Sequence, residues 1–380
     1  MNKIANKRII FICVNINRDK EFEALVEEGT ALVLSAGYEI AEVVKINRPN
    51  IDSKFFIGSG KVVEIKQLQT ILNVNKIVVN HNLSSIQERN LELELGVTVF
   101  DRTNIILQIF ASRVKGSEGI LQVELALQSQ LLSRLVKRWT HLERQRGGIG
   151  LRGGPGEKQI ELDKRLIKDK IKSLKVRLME AVKQRQTQRK ARLKNEVFSI
   201  SLVGYTNAGK SSLFNVLTKS NVYAEDRLFA TLETTSRKLF IDTNNEVVIS
   251  DTVGFIRDLP HTLIAAFRAT LEETINANLL LHVVDVSQSL KERQIEDVNY
   301  VLTEIGAINI PQLIIYNKID LKDDLQQRID YADDGEPLSV YLSAEKNIGI
   351  SLLHQAIVEK KLWLKQKKNE EKVAYEPWKQ

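Results

Sequence analysis

Three stretches follow one another without a gap: Val197-Phe-Ser-Ile-Ser-Leu-Val203, then Gly204-Tyr-Thr-Asn-Ala-Gly209-Lys210-Ser211, then Ser212-Leu-Phe-Asn-Val-Leu217. The first has strand character, the last has the apolar spacing of a helix, and the loop between them fits GxxxxGKS. A strand that runs through a glycine loop into a helix N-terminus collects backbone N–H groups around an anion. Lys210 adds a cation for the β- and γ-phosphates, and Ser211 offers a hydroxyl to Mg²⁺. Gly204, Tyr205, Thr206, Asn207, Ala208, Gly209, Lys210, Ser211 and Ser212 are therefore the expected phosphate contacts of a nucleoside triphosphate. A fortuitous glycine turn would lack these flanks.

The base is specified further along. Gln312-Leu-Ile-Ile-Tyr316 reads as a buried strand that ends in Asn317-Lys318-Ile319-Asp320, where open parallel sheets bind ligands. A carboxylate at Asp320 accepts from both N1–H and N2–H of guanine, two donors that adenine does not present together. Asn317 can bond the other edge of the base, and the aliphatic stem of Lys318 can cover its face. After the strand Leu338-Ser-Val-Tyr-Leu342, Ser343-Ala344-Glu345 is placed to close over the guanine, so GTP and GDP are the expected ligands.

Between these lies Val247-Val-Ile-Ser250, a strand leading to Asp251-Thr252-Val253-Gly254. Asp251 can hold Mg²⁺ through water, and the Gly254 N–H can contact the γ-phosphate. The second direct Mg²⁺ ligand, beside Ser211, is expected from Phe229-Ala230-Thr231-Leu232-Glu233; we take Thr231, with Thr234 and Thr235 as rivals. Lys210, Thr231 and Gly254 are the catalytic candidates. From Gly204 to Glu345 the order resembles the GTPase domain of the translation-factor class of P-loop GTPases, on a doubly wound sheet. In Ras-like enzymes a glutamine after Asp-x-x-Gly orients the attacking water, and here Phe255 stands there. Slow intrinsic hydrolysis is expected, accelerated by a partner, unless a group such as Arg257 or the Thr231 backbone substitutes.

A chain of 380 residues with 43% hydrophobic content has room for two or three packed domains. Its single cysteine, Cys13, excludes a disulfide framework, and the five histidines show no metal-ligand spacing. The apolar run after Lys7-Arg8 is too short for a signal segment or a membrane span, so a cytoplasmic protein with no integral membrane association is expected.

Charge is concentrated. Glu157 to Lys194 holds fourteen Lys or Arg against five Asp or Glu, a larger excess than the +7 of the whole chain. Ile160, Ile167, Leu174 and Ala181, with Ile171 and Leu178, form a heptad seam; Leu121, Leu125, Leu132, Leu135, Trp139 and Leu142 form its counterpart, interrupted at Gln128. An antiparallel helical hairpin follows, its seam used up by the partner helix. Lys158, Lys164, Arg165, Lys168, Lys172, Lys175, Arg177, Arg185, Arg189, Lys190 and Arg192 make the exposed face positive. An even mix of signs would serve solubility; a one-sided face fits the phosphate backbone of RNA. The link Arg144-Gln-Arg146-Gly-Gly-Ile-Gly150-Leu-Arg152-Gly-Gly-Pro-Gly156 carries six glycines in ten residues, and reads as an arginine-bearing tip that orders on structured RNA.

The N-terminal part alternates strands (8–14, 38–46, 76–79, 97–100) with helices (21–34, 62–72, 85–95, 102–114), an α/β pattern. Phe56-Ile-Gly-Ser-Gly-Lys61 lacks the spacing of a second phosphate loop and reads as a turn. The expected organisation is an α/β domain (1–117), a basic hairpin (118–195) with its glycine-rich tip (144–157), a P-loop GTPase domain (196–365), and a basic tail (366–380), read as helix fraying beyond Glu359.

Phe56-Ile-Gly-Ser-Gly-Lys-Val62, Gln87-Glu-Arg-Asn-Leu-Glu92, Asp101-Arg-Thr103, Gly119-Ile-Leu-Gln-Val-Glu-Leu-Ala126, Trp139-Thr-His-Leu-Glu-Arg144 and Gly156-Glu-Lys-Gln-Ile-Glu161 together resemble the HflX family of ribosome-associated GTPases. The resemblance covers roughly residues 8 to 360. It implies an N-terminal domain and hairpin that engage the large (50S) ribosomal subunit, GTP-dependent splitting of stalled or idle 70S ribosomes, hydrolysis stimulated by that subunit, and a tip that reaches toward the peptidyl transferase region. Glu233-Thr234 stands where the family usually has Asp-Pro, and Gly153-Gly154 is doubled. A chain whose basic face is needed for RNA is most simply a monomer. The alternative function is an NTP-driven remodeller of ribosomal RNA, for which ATP would also serve.

Overall fold

Ile9 to Val14 are six consecutive residues with at most 2% exposure. A strand apolar on both faces belongs at the middle of a parallel sheet covered on both sides, and β1 (Arg8–Ile16) takes that place. The computed structural model describes residues 7–145, 155–193, 197–219, 228–229, 231–232, 234–240, 246–259, 263 and 271–375. It divides into two compact units, Met1–Arg185 with Leu259–Phe267, and Gln186–Asp258 with Arg268–Gln380.

In the first unit β1, β2 (Glu39–Arg48), β3 (Lys76–Val79) and β4 (Thr98–Phe100) form a parallel sheet in the order β2-β1-β3-β4. The connecting helices are α1 (Phe22–Ser35), α2 (Ser59–Leu72), α3 (Ser85–Leu95) and α4 (Arg102–Arg113). One core packs Ile10, Ile12 and Val14 against Val62 and Ile65 of α2 and Leu91 and Leu95 of α3. Toward α1, a Cβ on Gly29 would lie 2.4 Å from the Phe11 ring, so glycine lets that helix approach. Cys13 is fully buried, and burial pushes its thiol up to about 12, against the opposing pull of Lys45.

Local signals explain the helix starts. Ser84 and Gln87 form a reciprocal capping box at α3, and Asp101 caps α4 by accepting from the Asn104 N–H at 2.8 Å. Arg134 of α5 (Ser117–Gln145) reaches Glu88 Oε1 at 2.7 Å and Asp101 Oδ2 at 3.3 Å, both carboxylates being buried. Gln130 Nε2 donates to Asn104 Oδ1 at 3.1 Å, so α5 is locked to the α/β sheet's helices. Burial raises the Asp101 carboxyl above its usual range, while Asn104 N–H and Arg134 act in the other direction.

Helix α6 (Pro155–Leu193) returns along α5. Leu121, Leu125 and Leu174 are buried together, flanked by Ile171 and Leu178, and Lys170 pairs with Glu124 at 2.8 Å across the helices. The seam closes around these five apolar residues, while Leu132, Leu135, Ile167 and Ala181 are only half-buried. It does not absorb every apolar residue, since Leu162, Leu166 and Met179 are exposed. Arg165, Lys168, Lys172, Lys175 and Arg177 are exposed as expected. Of the glycine-rich tip, residues 146–154 lie outside the described residues.

The second unit holds a seven-stranded sheet in the order β10-β11-β9-β8-β5-β7-β6. Its strands are β5 (Phe198–Gly204), β6 (Thr235–Phe240), β7 (Glu246–Asp251), β8 (Leu279–Asp285), β9 (Gln312–Asn317), β10 (Arg328–Tyr331) and β11 (Pro337–Tyr341). The five inner strands are parallel, while β6 and β10 close the edges antiparallel. Helices α7 (Lys210–Thr218), α8 (Glu272–Ile275), α9 (Lys291–Ile305) and α10 (Ile350–Tyr375) complete the unit. One core joins Ile200, Leu202, Leu281, Ile315 and Val340 to Phe214 of α7 and to Leu353, Ala356 and Ile357 of α10. This is the α/β, doubly wound arrangement expected from the sequence.

The expected fraying beyond Glu359 is corrected. Lys360 is 1% exposed, with its ammonium bonded to Glu336 and to the Pro337 carbonyl at 2.9 Å, and α10 runs on through Tyr375. That buried contact fixes the helix where charge composition alone reads as a tail. Among the described residues no helix is long and apolar enough to cross a membrane.

Candidate functional site

The chain direction reverses around β5. After β5 the chain proceeds to β7 on one side, and β8, β9 and β11 then build outward on the other. Ligands of open α/β sheets sit outside the strand C-termini at such a switch point. There the loop Gly204–Ser211, Asp251–Gly254, Asn317–Asp320 and Ser343–Ala344 emerge together.

The loop geometry is dictated by contacts that leave no room for side chains. Gly204, at φ +147°, would place a Cβ 2.2 Å from the Val283 carbonyl oxygen, and Gly209, at φ +92°, would place one 2.2 Å from Asn317 Nδ2. A Cβ on Gly254 would meet Thr206 Cγ2 at 2.8 Å and Lys210 Nζ at 3.0 Å. Asn207 is exposed and also left-handed, at φ 63°. Tyr205 pairs with Phe255 in a parallel bridge: Thr206 N–H donates to Phe255 O at 2.7 Å and Phe255 N–H to Gly204 O at 3.1 Å. Arg257 N–H donates to the Tyr205 hydroxyl at 2.9 Å. The Asp-x-x-Gly segment is thus stitched to the phosphate loop, and Phe255 itself is 1% exposed.

Lys210 is buried, its ammonium donating to the carbonyls of Gly204 at 3.0 Å and Tyr205 at 2.7 Å. Burial lowers its pKa to about 8, with Asp251 pulling the other way. Three oxygens converge beside it. Ser211 Oγ lies 2.6 Å from Thr231 Oγ1 and 2.8 Å from Asp251 Oδ2, and Thr231 Oγ1 is 3.0 Å from the same carboxylate oxygen. Of the three threonines considered, Thr231 is the one at this junction; Thr235 instead lies in β6, opposite Asp251 in the ladder. Burial raises the Asp251 carboxyl, and the Ser211 hydrogen bond and Lys210 oppose that. Phe229, at φ 58°, and Leu232 are buried; Ala230 and Glu233 lie outside the described residues. Thr252 is turned away from the junction, donating to Leu202 O at 2.6 Å, and Val253 is buried.

At the base end Asn317 is committed twice: Nδ2 donates to Ala208 O at 2.9 Å and Oδ1 accepts from Ala344 N–H at 3.0 Å. A second Nδ2 hydrogen remains for a base, so its first duty is to join the phosphate loop to Ser343–Ala344. Ser343 is fully buried, with Oγ accepting from Lys346 N–H at 3.1 Å. The Glu345 side chain is 79% exposed and lies 3.9 Å from the Lys346 ammonium. Lys318, at φ 66°, extends its ammonium to Asp285 Oδ2 at 2.7 Å, a partner that no sequence motif marks.

The residues fit the ligands inferred. Asp320 Oδ1, Asp251 Oδ1 and Thr206 Oγ1 are buried without a hydrogen-bond partner, at the base, metal and phosphate ends respectively. Buried polar atoms are normally satisfied, so three orphans along one cleft call for a polar ligand. Hydroxyl and carboxylate oxygens suit a hard cation such as Mg²⁺. No cluster of His, Cys, Asp and Glu among the described residues offers a separate metal site.

A lysine-serine phosphate loop, a carboxylate on the next parallel strand and Asn-Lys-x-Asp at a third strand end define a P-loop GTPase. Family profiles carry the identification further: "GTP-binding GTPase N-terminal" matches residues 23–111, "GTP-binding GTPase Middle Region" 113–192, and "50S ribosome-binding GTPase" 199–318. GTPase HflX of Escherichia coli (strain K12) is 48% identical over 356 residues, covering 94% of this chain and 83% of the relative. GTPase HflX of Caldanaerobacter subterraneus subsp. tengcongensis is 43% identical over 357 residues, covering 94% and 82%. A GTP-binding protein of Sulfolobus solfataricus, solved in complex with GDP, is 26% identical with a TM-score of 0.47, covering 94% of this chain and 99% of that one. The chain belongs to the HflX family of GTPases.

Proposed function

We propose that this GTPase is a switch whose GTP-bound form docks on the large ribosomal subunit through ribosomal RNA and separates stalled or idle 70S ribosomes. Hydrolysis, stimulated by the subunit, then releases it. The observation that carries the switch is the junction of Ser211, Thr231 and Asp251, because it draws the loop bearing Thr231 onto the metal end of the nucleotide site. Ser211 and Thr231 are the direct Mg²⁺ ligands in this reading, and Asp251 holds the ion through water. When bound, Mg²⁺ would neutralise charge on the β- and γ-phosphoryl oxygens.

Lys210 exchanges its two loop carbonyls for phosphate oxygens, whose negative charge favours a buried ammonium. The Gly254 N–H faces the γ-phosphate, and Asp320 takes the guanine edge. Phe255 supplies no polar group and its ring is buried, so orientation of the attacking water falls to a group that the ribosome orders. Docking on the subunit is supported by the matched profile's description and by the one-sided charge of α6. The same reading makes the protein a cytoplasmic monomer, organised as α/β domain, hairpin and GTPase domain.

Steady-state GTP and ATP hydrolysis with and without purified large subunits, at two salt concentrations, tests it. A low basal GTPase rate, raised by the subunit and raised less at high salt, is expected. No stimulation would remove the ribosome from the scheme, and equal use of ATP would favour an RNA remodeller.

A further inference from the structure

Lys318 is held more firmly than a base-covering lysine on a surface loop requires. Its backbone is left-handed, at φ 66° and ψ 36°, a conformation that is strained for a non-glycine residue and persists only where the surroundings enforce it. The enforcing contacts come from the end of β8. Asp285 is the ladder partner of Asn317, and Val286 N–H donates to Asn317 O at 3.1 Å. The Asp285 side chain is 5% exposed and divides its oxygens between two tasks. Oδ1 accepts from Ser287 N–H at 2.9 Å and Ser287 Oγ at 2.6 Å, which fixes the carboxylate plane; Oδ2 meets Lys318 Nζ at 2.7 Å.

Resting on the GTP-switch reading, we propose that Asp285 is a positioning residue for guanine-nucleotide affinity. By holding the Lys318 ammonium it stretches the four-carbon stem into a fixed apolar ledge for the face of the base. A free lysine would have to surrender its rotamer freedom each time nucleotide bound; one already tethered does not. A ledge touches the ring face and not its hydrogen-bonding edge. Asp285 therefore governs how tightly a purine nucleotide is held, while Asp320 governs which purine it is. The ledge lies at the base, remote from the Ser211–Thr231–Asp251 junction in sequence and strand position, so its effect falls on binding and not on the chemical step.

The test is a double-mutant cycle on the full chain, with Asp285→Asn, Lys318→Met and the double variant, reading GDP, GTP and XDP dissociation constants, kcat and melting temperature. Asparagine keeps an acceptor for Ser287 and removes the charge that holds the ammonium; methionine keeps an apolar stem and removes the ammonium itself. Each single variant is expected to weaken GDP and GTP about tenfold, the loss falling on the dissociation constants and not on the GDP-over-XDP preference. The double variant is expected to be no weaker than either single. Multiplying losses in the double variant would overturn the proposal, because Asp285 would then act independently of Lys318. So would an Asp285→Asn dissociation constant within twofold of wild type, or a fall in kcat with affinity intact. If Asp285→Asn melts below the assay temperature, Lys318→Arg decides: it still reaches Asp285 and should bind GDP better than Lys318→Met, and equal weakness would overturn the proposal. Wild-type protein that binds no GDP would instead remove the GTP-switch reading itself.

Discussion

Asn317 Nδ2 donates to the Ala208 carbonyl at 2.9 Å, joining residues 109 apart in the chain and tying the base-recognition strand to the phosphate loop. Asn317→Ala would leave that carbonyl and the Ala344 N–H buried and unpaired, at roughly 1–3 kcal/mol for each group. The expected outcome is a melting temperature several degrees lower in nucleotide-free protein, with GDP affinity falling more than guanine selectivity. A stable variant with native affinity would contradict the coupling.

Thr231 contacts Ser211 and Asp251 through one hydroxyl. Under the proposed switch, in which Thr231 is a metal ligand on a loop that responds to the γ-phosphate, it should matter for GTP and little for GDP. Thr231→Ala is expected to reduce subunit-stimulated hydrolysis by about a hundredfold, the scale of losing one transition-state contact, while GDP affinity stays within about threefold. Thr234→Ala and Thr235→Ala serve as comparisons, and an equal loss in either would reassign the ligand.

Asp320 has a buried oxygen without a partner. Asp320→Asn replaces an acceptor of guanine's two donors with an amide that can itself donate, which matches the C2 carbonyl of xanthine. Preference should shift from GTP toward XTP by roughly a hundredfold or more, as expected where a buried polar group is mismatched. Competition of XDP and GDP for one site reads it directly. Unaltered preference would place base recognition elsewhere.

His282, 1% exposed in the centre of β8, is lowered to about 4, chiefly by burial; the bond to Gln312 at 3.3 Å opposes the shift and Lys210 adds to it. The folded pKa lies below the unfolded value of 6.5, so the unfolded chain binds the proton first on acidification. Stability from this residue is complete above pH 6.5 and is lost progressively as pH falls toward 4, by about 2 kcal/mol at pH 5. His282→Leu should flatten the decline of melting temperature between pH 7 and 5. If both proteins decline alike, other groups cause it.

Much of the GTPase fold was legible because its motifs sit at strand ends. Gly204–Ser211, Asp251–Gly254 and Asn317–Asp320 each announce the strand before them, and β5, β7 and β9 fall where those motifs place them. Strands without a motif were passed over. Edge strand β10, Arg-Ile-Asp-Tyr, is too short and polar to show a period, and β6 is specified by its ladder with β7. Leu279-Leu-Leu281 and Val283-Val284, interrupted by His282, are apolar residues whose signal was available for β8. Sequence alone leaves Thr231, Thr234 and Thr235 as rivals in one polar segment, and the tertiary contacts of Thr231 with Ser211 and Asp251 set it apart. Asp285 and Arg134 were invisible for the same reason: each acts on a residue distant in sequence, and neither spacing nor composition records a cross-chain ion pair. The helix through Tyr375 depended on burying Lys360, which charge counting reads as solvent-exposed.

The single native thiol has a practical consequence. Cys13 is enclosed in β1, and burial pushes its thiol up to about 12, so at pH 7 it offers almost none of the thiolate that alkylating dyes attack. A cysteine engineered at Lys172 or Lys175, exposed positions on α6, would be labelled at that one place in otherwise unaltered protein. Fluorescence from such a probe would report whether the hairpin meets RNA, without first stripping the chain of its own sulfhydryl.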